Sequence, residues 1–219
     1  MTTTIHQALC RTWWWDTMEE HQITFHKDGT GEIVSRADFR IWISASIEWS
    51  YVNPSQAEEK LQQAAVEPAP RAFLSPTPSE TIAEIPIEFR ITKAHIPRLL
   101  EYTRELSTMM NDGVLFDSAF QKRTLTLTLK TGEFITQWHE ERYTDAPKAH
   151  KDKYRLTLLF SESPYPGPDE WKYEVTIAPK EVRQWEMTRF CAVDIESSRS
   201  SNGSHMDVLQ REEGYPSLL

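Results

Sequence analysis

Cysteine is nearly absent: Cys10 and Cys191 are the only two in 219 residues. Two thiols near opposite ends of the chain cannot build a disulfide scaffold, and neither a C-x-x-C pair nor a familiar zinc-ligand spacing occurs. Reduced thiols are the expected state. No apolar run approaches the ~20 residues of a membrane-crossing helix. The opening MTTTIHQALC has neither the basic region nor the apolar core of an export signal. The expectation is a cytoplasmic chain without a membrane span, whose Asn202-Gly203-Ser204 sequon carries no sugar. Positive charge is also in deficit. Lys and Arg number 24 against 33 Asp and Glu, a formal charge of -9. That field has the wrong sign for tracking phosphates, so nucleic acid is not an expected partner. Catalytic signatures are missing too. There is no G-x-S-x-G and no phosphate-cradling glycine loop, and the sequence HEERY from His139 lacks the second histidine of H-E-x-x-H. No metal and no cofactor are expected.

What the chain does have is tryptophan and alternation. Eight tryptophans occur, and three of them, Trp13, Trp14 and Trp15, are consecutive. In a strand, neighbours point to opposite faces, so Trp13 and Trp15 share a face that Trp14 does not. Ile23 and Phe25 alternate with Thr24 and His26. Lys27-Asp28-Gly29-Thr30-Gly31 then supplies glycines where a hairpin needs positive φ, and Ile33 and Val34 begin the return strand. From Phe39 to Tyr51 the odd positions are apolar or small and the even ones mostly polar, which predicts a long half-buried strand. Trp42 falls on the polar parity, and one bulge would reverse it.

Residues 53–80 are rich in Pro, Ala, Ser and Glu and read as a mobile loop, with a helical turn around 58–65. Ala83, Ile85, Ile87, Phe89 and Ile91 mark a second long strand. A helix entered at Pro97 runs to Met110 and ends at Asn111-Asp112-Gly113. Leu125, Leu127 and Leu129 make a further strand, which Lys130-Thr131-Gly132-Glu133 is expected to turn into a partner from Phe134 to Trp138. Residues 140–153 read as loop, Tyr154 to Phe160 as strand, Pro164, Pro166 and Pro168 as breaks, and Tyr173 to Ile177 and Trp185 to Val193 as the last strands. The sum is a mainly β chain of about eight to ten antiparallel strands with one inserted helix. One domain, residues 1–193, is expected as an up-and-down β-barrel, with a two-sheet β-sandwich as the alternative and residues 194–219 as a disordered polar tail.

Three stretches, Leu9 to Trp15, Ile23 to Gly31 and Phe39 to Trp42, resemble the lipocalin-like (calycin) pattern of a G-x-W strand, an F-x-x-D-G-T-G hairpin and an F-x-W strand. Phe25-His26-Lys27-Asp28-Gly29-Thr30-Gly31 matches the hairpin in full, whereas Arg11 stands where the first element has glycine. The tryptophan-rich start and Ser163-Pro164-Tyr165-Pro166 also look like those of fungal proteins. The resemblance implies an antiparallel barrel with an internal cavity for a small apolar molecule, and brings no catalytic residues with it. By its standard the loop at 53–80 and the helix at 97–110 are insertions.

Such a cavity would hold about 300 to 1,000 Å³ at one end of the barrel and take a hydrophobic, aromatic or polycyclic compound. Trp13, Trp15, Phe25, Trp49, Tyr51, Phe89, Arg90 and Trp138 are the candidate lining, and plain core filling is the competing role for the aromatics. A cofactor-free cyclase or isomerase working in the same cavity needs an acid or base, for which Glu48, Glu88, His21 and His26 are the candidates, alongside Glu19 and Glu20. Whether the chain is an enzyme stays open at this point. His21 and His26 are an odd number of residues apart and face opposite ways, so they do not share a metal. Glu48 with Arg40, and Glu88 with Arg90, form a solvated charge ladder or else a polar patch inside the cavity. A protein-interaction scaffold is the third possibility, and would carry an exposed apolar patch outside the barrel.

Overall fold

The computed structural model describes residues 4–37, 40–53, 79–99, 110–142, 154–172 and 182–192. Phe39, most of the loop at 53–80, the helix beyond residue 99, Tyr173 to Ile177 and the tail from 194 lie outside them. The described chain is mainly β. Its strands are β1 (Thr12–Trp14), β2 (His21–Phe25), β3 (Thr30–Ala37), β4 (Arg40–Tyr51), β5 (Glu80–His95), β6 (Arg123–Phe134), β7 (Tyr154–Phe160) and β8 (Arg189–Ala192). Each pairs antiparallel with the next, and Trp14 opposite Cys191 joins β1 to β8, so one sheet closes on itself as a ring and leaves no free edge.

The alternation read from the sequence sets the inner face. Ile23, Ile33, Ile47, Ile87, Phe89, Leu125, Leu127, Leu129, Leu158 and Phe190 have no surface left to solvent, and Trp13 packs among them. At about 25 cal/mol per Å² of apolar surface removed from water, each of these side chains contributes about 1.5–3 kcal/mol. The hairpin between β2 and β3 explains its own sequence. The Asp28 carboxylate accepts from the Thr30 N–H at 3.0 Å and from its hydroxyl at 2.6 Å, and Gly29 has φ +83. At Gly31 a Cβ would lie 2.1 Å from the Thr24 carbonyl oxygen, so no side chain fits there.

Trp42 is buried with the core. Ser35 faces Ile43 and Arg36 faces Ile41, so Trp42 is the extra residue of a bulge in β4 that carries it off the polar parity. Lower in β4 the ladder to β5 is irregular between Ala45 and Ile47, and side chains take over the backbone's bonding. The Asn111 amide accepts from the Ser44 N–H at 2.9 Å and donates to the Ser44 carbonyl at 2.8 Å, and the Thr92 hydroxyl donates to the Ser46 carbonyl. Asn111 is fully buried, begins a 3-10 turn and takes φ 47, a conformation asparagine tolerates. Helical backbone does begin at residue 97.

Three expectations fail. The strand over Leu125 to Leu129 does not turn back at residues 130–133: β6 runs on to Phe134, and Gly132 sits in a register shift between Thr131 and Phe134. Glycine there serves a bulge, not a hairpin. The residues after it form a short helix, α2 (Gln137–Arg142), so Trp138 is helical and not in a strand. The final strand starts at Arg189, because Gln184–Glu186 is a 3-10 turn entered through a left-handed Arg183. An N-terminal helix, α1 (Ile5–Leu9), was not foreseen. It is fixed by a capping box, in which the Thr4 hydroxyl accepts from the Gln7 N–H and the Gln7 side chain accepts from the Thr4 N–H. No described helix is long and apolar enough to cross a membrane.

Candidate functional site

The predicted site residues fall at two ends of the barrel and on its solvated face. At the end formed by the last residues of β2 and β4, α1 lies against Phe25, Trp49 and Tyr51. His6 sits 6.0 Å from the Trp49 ring and 6.1 Å from Tyr51. Trp49 meets Phe25 and Tyr51 edge to face. Donors here are satisfied: the Trp49 indole N–H donates to the Thr30 carbonyl at 2.9 Å, and that of Trp13 to the Leu9 carbonyl at 3.0 Å.

The opposite end is built differently. It gathers the end of β1, the start of β2, the end of β3, and the segments at 163–171 and 182–187. His21 Nδ1 lies 3.1 Å from Asp16 Oδ2, and both side chains are almost wholly buried. Asp16 also accepts from the backbone N–H groups of Met18, Glu20 and His21, which lets the chain turn sharply between β1 and β2. Burial pushes the Asp16 carboxyl up. The hydrogen bond from His21 and the backbone donors outweigh burial and hold its pKa below the ordinary carboxylate value. A carboxylate only accepts, so Nδ1 carries a proton towards Asp16, and Nε2 is the polar atom of the ring that this pair leaves over.

That nitrogen is buried and has no partner among the described residues. The same holds for the indole N–H of Trp15, whose ring meets His21 edge to face at 5.4 Å, and for Gln184 Oε1. Gln184 comes from the 3-10 turn before β8, and its amide donates to the hydroxyl of Ser35, the residue opposite His21 in the sheet. The Tyr165 ring meets the imidazole edge to face at 6.4 Å, and its hydroxyl donates to the Val34 carbonyl at 2.7 Å. An unpaired buried polar group costs about 1–3 kcal/mol; Trp42 Nε1 and Ser44 Oγ on β4 are also without a partner among the described residues, and around His21 three such atoms lie on neighbouring side chains.

The other candidates lie elsewhere. Glu48, Glu88, Arg90 and His26 are on the solvated face. Arg90 donates to Glu48 at 2.6 Å and Lys122 to Glu88 at 2.9 Å, an outward charge ladder of the kind worth little to stability. Arg90 lines an open depression of about 430 Å³ on the outside of β5, together with Lys93, Asp117, Phe120 and Gln121, and not the barrel interior. Phe89 is wholly buried beside Trp49, and Arg123 lies over its ring. Trp138 is half-buried on α2 under the Arg142 guanidinium. No group of three or more His, Cys, Asp or Glu suited to a metal occurs among the described residues. Cys10 and Cys191 are free thiols. The large apolar side chains exposed among the described residues are Met18, Val52 and Phe116, from three different connections.

Sequence reading nominated His21 and Trp15 but missed Asp16, Gln184 and Tyr165. The signal for Asp16 was local, since an aspartate just after a strand is poised to cap a turn. No family model matches the chain, and no curated protein or solved structure does either.

Proposed function

We propose that this chain is a lipocalin-like binding barrel whose recognition point is the Asp16–His21 end, and that it takes a small, neutral, planar molecule carrying one O–H or N–H donor. The observation that carries this reading is the buried, unpartnered His21 Nε2, held in orientation by Asp16 and flanked by the unpartnered Trp15 N–H and Gln184 oxygen. A ligand donor on Nε2, with an acceptor facing Trp15, would complete that set inside aromatic walls. The middle layers are filled by side chains, so the ligand is small and its place is made by displacing Gln184 from Ser35. The buried Asp16 carboxylate already places negative charge beside His21, which disfavours an anion, and the apolar walls favour a neutral molecule.

Native mass spectrometry of the full chain purified without denaturation tests this. The expected result is a bound small molecule in the wild type that is lost from His21→Phe and kept in Glu48→Gln, whose carboxylate is outside. Equal occupancy of wild type and His21→Phe contradicts it.

One observation favours a second reading, catalysis by the same residues. A histidine whose Nδ1 is fixed by a buried carboxylate is arranged to take a proton at Nε2, as a cofactor-free isomerase requires. Incubating the bound compound with the protein in D2O should then place deuterium at its acidic C–H, and Asp16→Asn should slow that exchange more than it weakens binding. Absence of exchange leaves a binding protein.

A further inference from the structure

The end of the barrel away from His21 holds a second set of reactive groups that the proposed function does not use. One turn of α1 brings Cys10 Sγ within 3.6 Å of His6 Nε2, and on the far side of the ring His6 Nδ1 is 2.9 Å from the Tyr51 hydroxyl. A thiol, an imidazole and a hydroxyl thus stand in line, with the ring fixed from β4. Cys10 is partly exposed, whereas Cys191 is buried, with its thiol near the Ile135 carbonyl and the Thr157 hydroxyl. Trp49 forms a flat wall beside the imidazole.

We propose that Cys10, His6 and Tyr51 form a thiol-addition site for a neutral α,β-unsaturated carbonyl compound seated against Trp49. The Tyr51 oxygen accepts the Nδ1 proton, which leaves Nε2 free to take the proton of Cys10. As it does so, the sulfur electron pair forms a bond to the β-carbon of the acceptor, and the C=C π pair shifts towards the carbonyl as an enolate. The same proton returns from Nε2 to the α-carbon, giving a thioether with no other reactant. Burial suits this concerted route. It raises the Cys10 thiol to about 11 and, with the Lys27 charge, holds His6 below its usual value. The resting pair is a neutral thiol and a neutral imidazole, and a free thiolate is scarce at neutral pH.

The probe is 2-cyclohexen-1-one added to the full chain, with the rate of Cys10 adduct formation followed by mass spectrometry and peptide mapping from pH 5 to pH 10. The expected rate rises as His6 loses its proton, is level from about pH 7 to about pH 8, and climbs only towards pH 9 and above, where direct attack by the thiolate overtakes the His6 route, with Cys191 unlabelled. His6→Asn should lower the neutral-pH rate about 100-fold and turn the profile into one that climbs about tenfold per pH unit. Tyr51→Phe should cost less and keep the level profile. A wild-type rate that climbs about tenfold per unit between pH 7 and pH 8, or a Cys10 no faster than Cys191, overturns the proposal, and the wild-type profile decides even where a substitution disturbs α1.

Discussion

The two ends of the barrel use the same materials, aromatic rings with a histidine, and treat them in opposite ways. Around α1 the indoles of Trp49 and Trp13 donate to backbone carbonyls, and the His6 ring has a neighbour on each nitrogen. Around Asp16 the carboxylate is crowded with donors while Trp15 N–H, His21 Nε2 and Gln184 Oε1 have none among the described residues. Both ends are packed and apolar in their walls, so polarity alone does not distinguish them. The difference lies in completion: the Trp49 and Trp13 indoles and the His6 ring have neighbours within the chain, whereas Trp15 N–H, His21 Nε2 and Gln184 Oε1 have none among the described residues.

The contrast can be broken most forcefully at Asp16. Asp16→Ala removes the acceptor of three backbone N–H groups and of His21, and should cost about 3–5 kcal/mol in denaturant unfolding. The same group gives the fold an acid sensitivity. Its folded pKa is depressed, so its stabilisation is present above the unfolded value of about 3.9 and is lost as pH falls through the folded pKa. The stability gap between wild type and Asp16→Asn should therefore close below about pH 4. Trp49→Phe gives up a made hydrogen bond and leaves the Thr30 carbonyl without it, a loss of about 1 kcal/mol. Thr4→Ala removes half of the capping box of α1 for about 1 kcal/mol or somewhat less, read by the same unfolding curves. Smallest of all is Trp15→Phe. Its N–H has no partner to lose, so the change should be close to neutral in stability while weakening ligand binding. Equal losses from Trp15→Phe and Trp49→Phe would erase the distinction between the ends.

How legible this was in the sequence follows from chain distance. The Asp28-Gly29-Thr30-Gly31 hairpin and the alternation of β4 and β5 could be read because each is set by neighbours a few residues away. Trp42 was ambiguous for a local reason, a single bulge, and the structure places that bulge at Trp42 itself. Gly132 misled because glycine serves turns and bulges equally, and only pairing with β7 decides between them. Helix α1 is too short for a helical period to register, although Thr4-x-x-Gln7 announced its start. At the site, His21 was within reach of sequence reasoning and Asp16, five residues earlier, nearly so. Gln184 and Tyr165 come from more than a hundred residues away, and no local pattern specifies that they meet β2 and β3. The sequence left open whether Glu48, Glu88 and Arg90 line the cavity or face water, because alternation gives two faces without naming the inner one; the structure puts them on the solvated face.

The central proposal is that the unpartnered His21 Nε2 receives the donor of a bound ligand. Its most direct measurement is the long-range proton–nitrogen NMR spectrum of the His21 imidazole at neutral pH while phenol, a neutral ring with one donor, is added. The account predicts a proton on Nδ1, none on Nε2, and a saturable movement of the Nε2 resonance that Trp15→Phe weakens. A proton already on Nε2, or a resonance unmoved at saturating phenol, would contradict it.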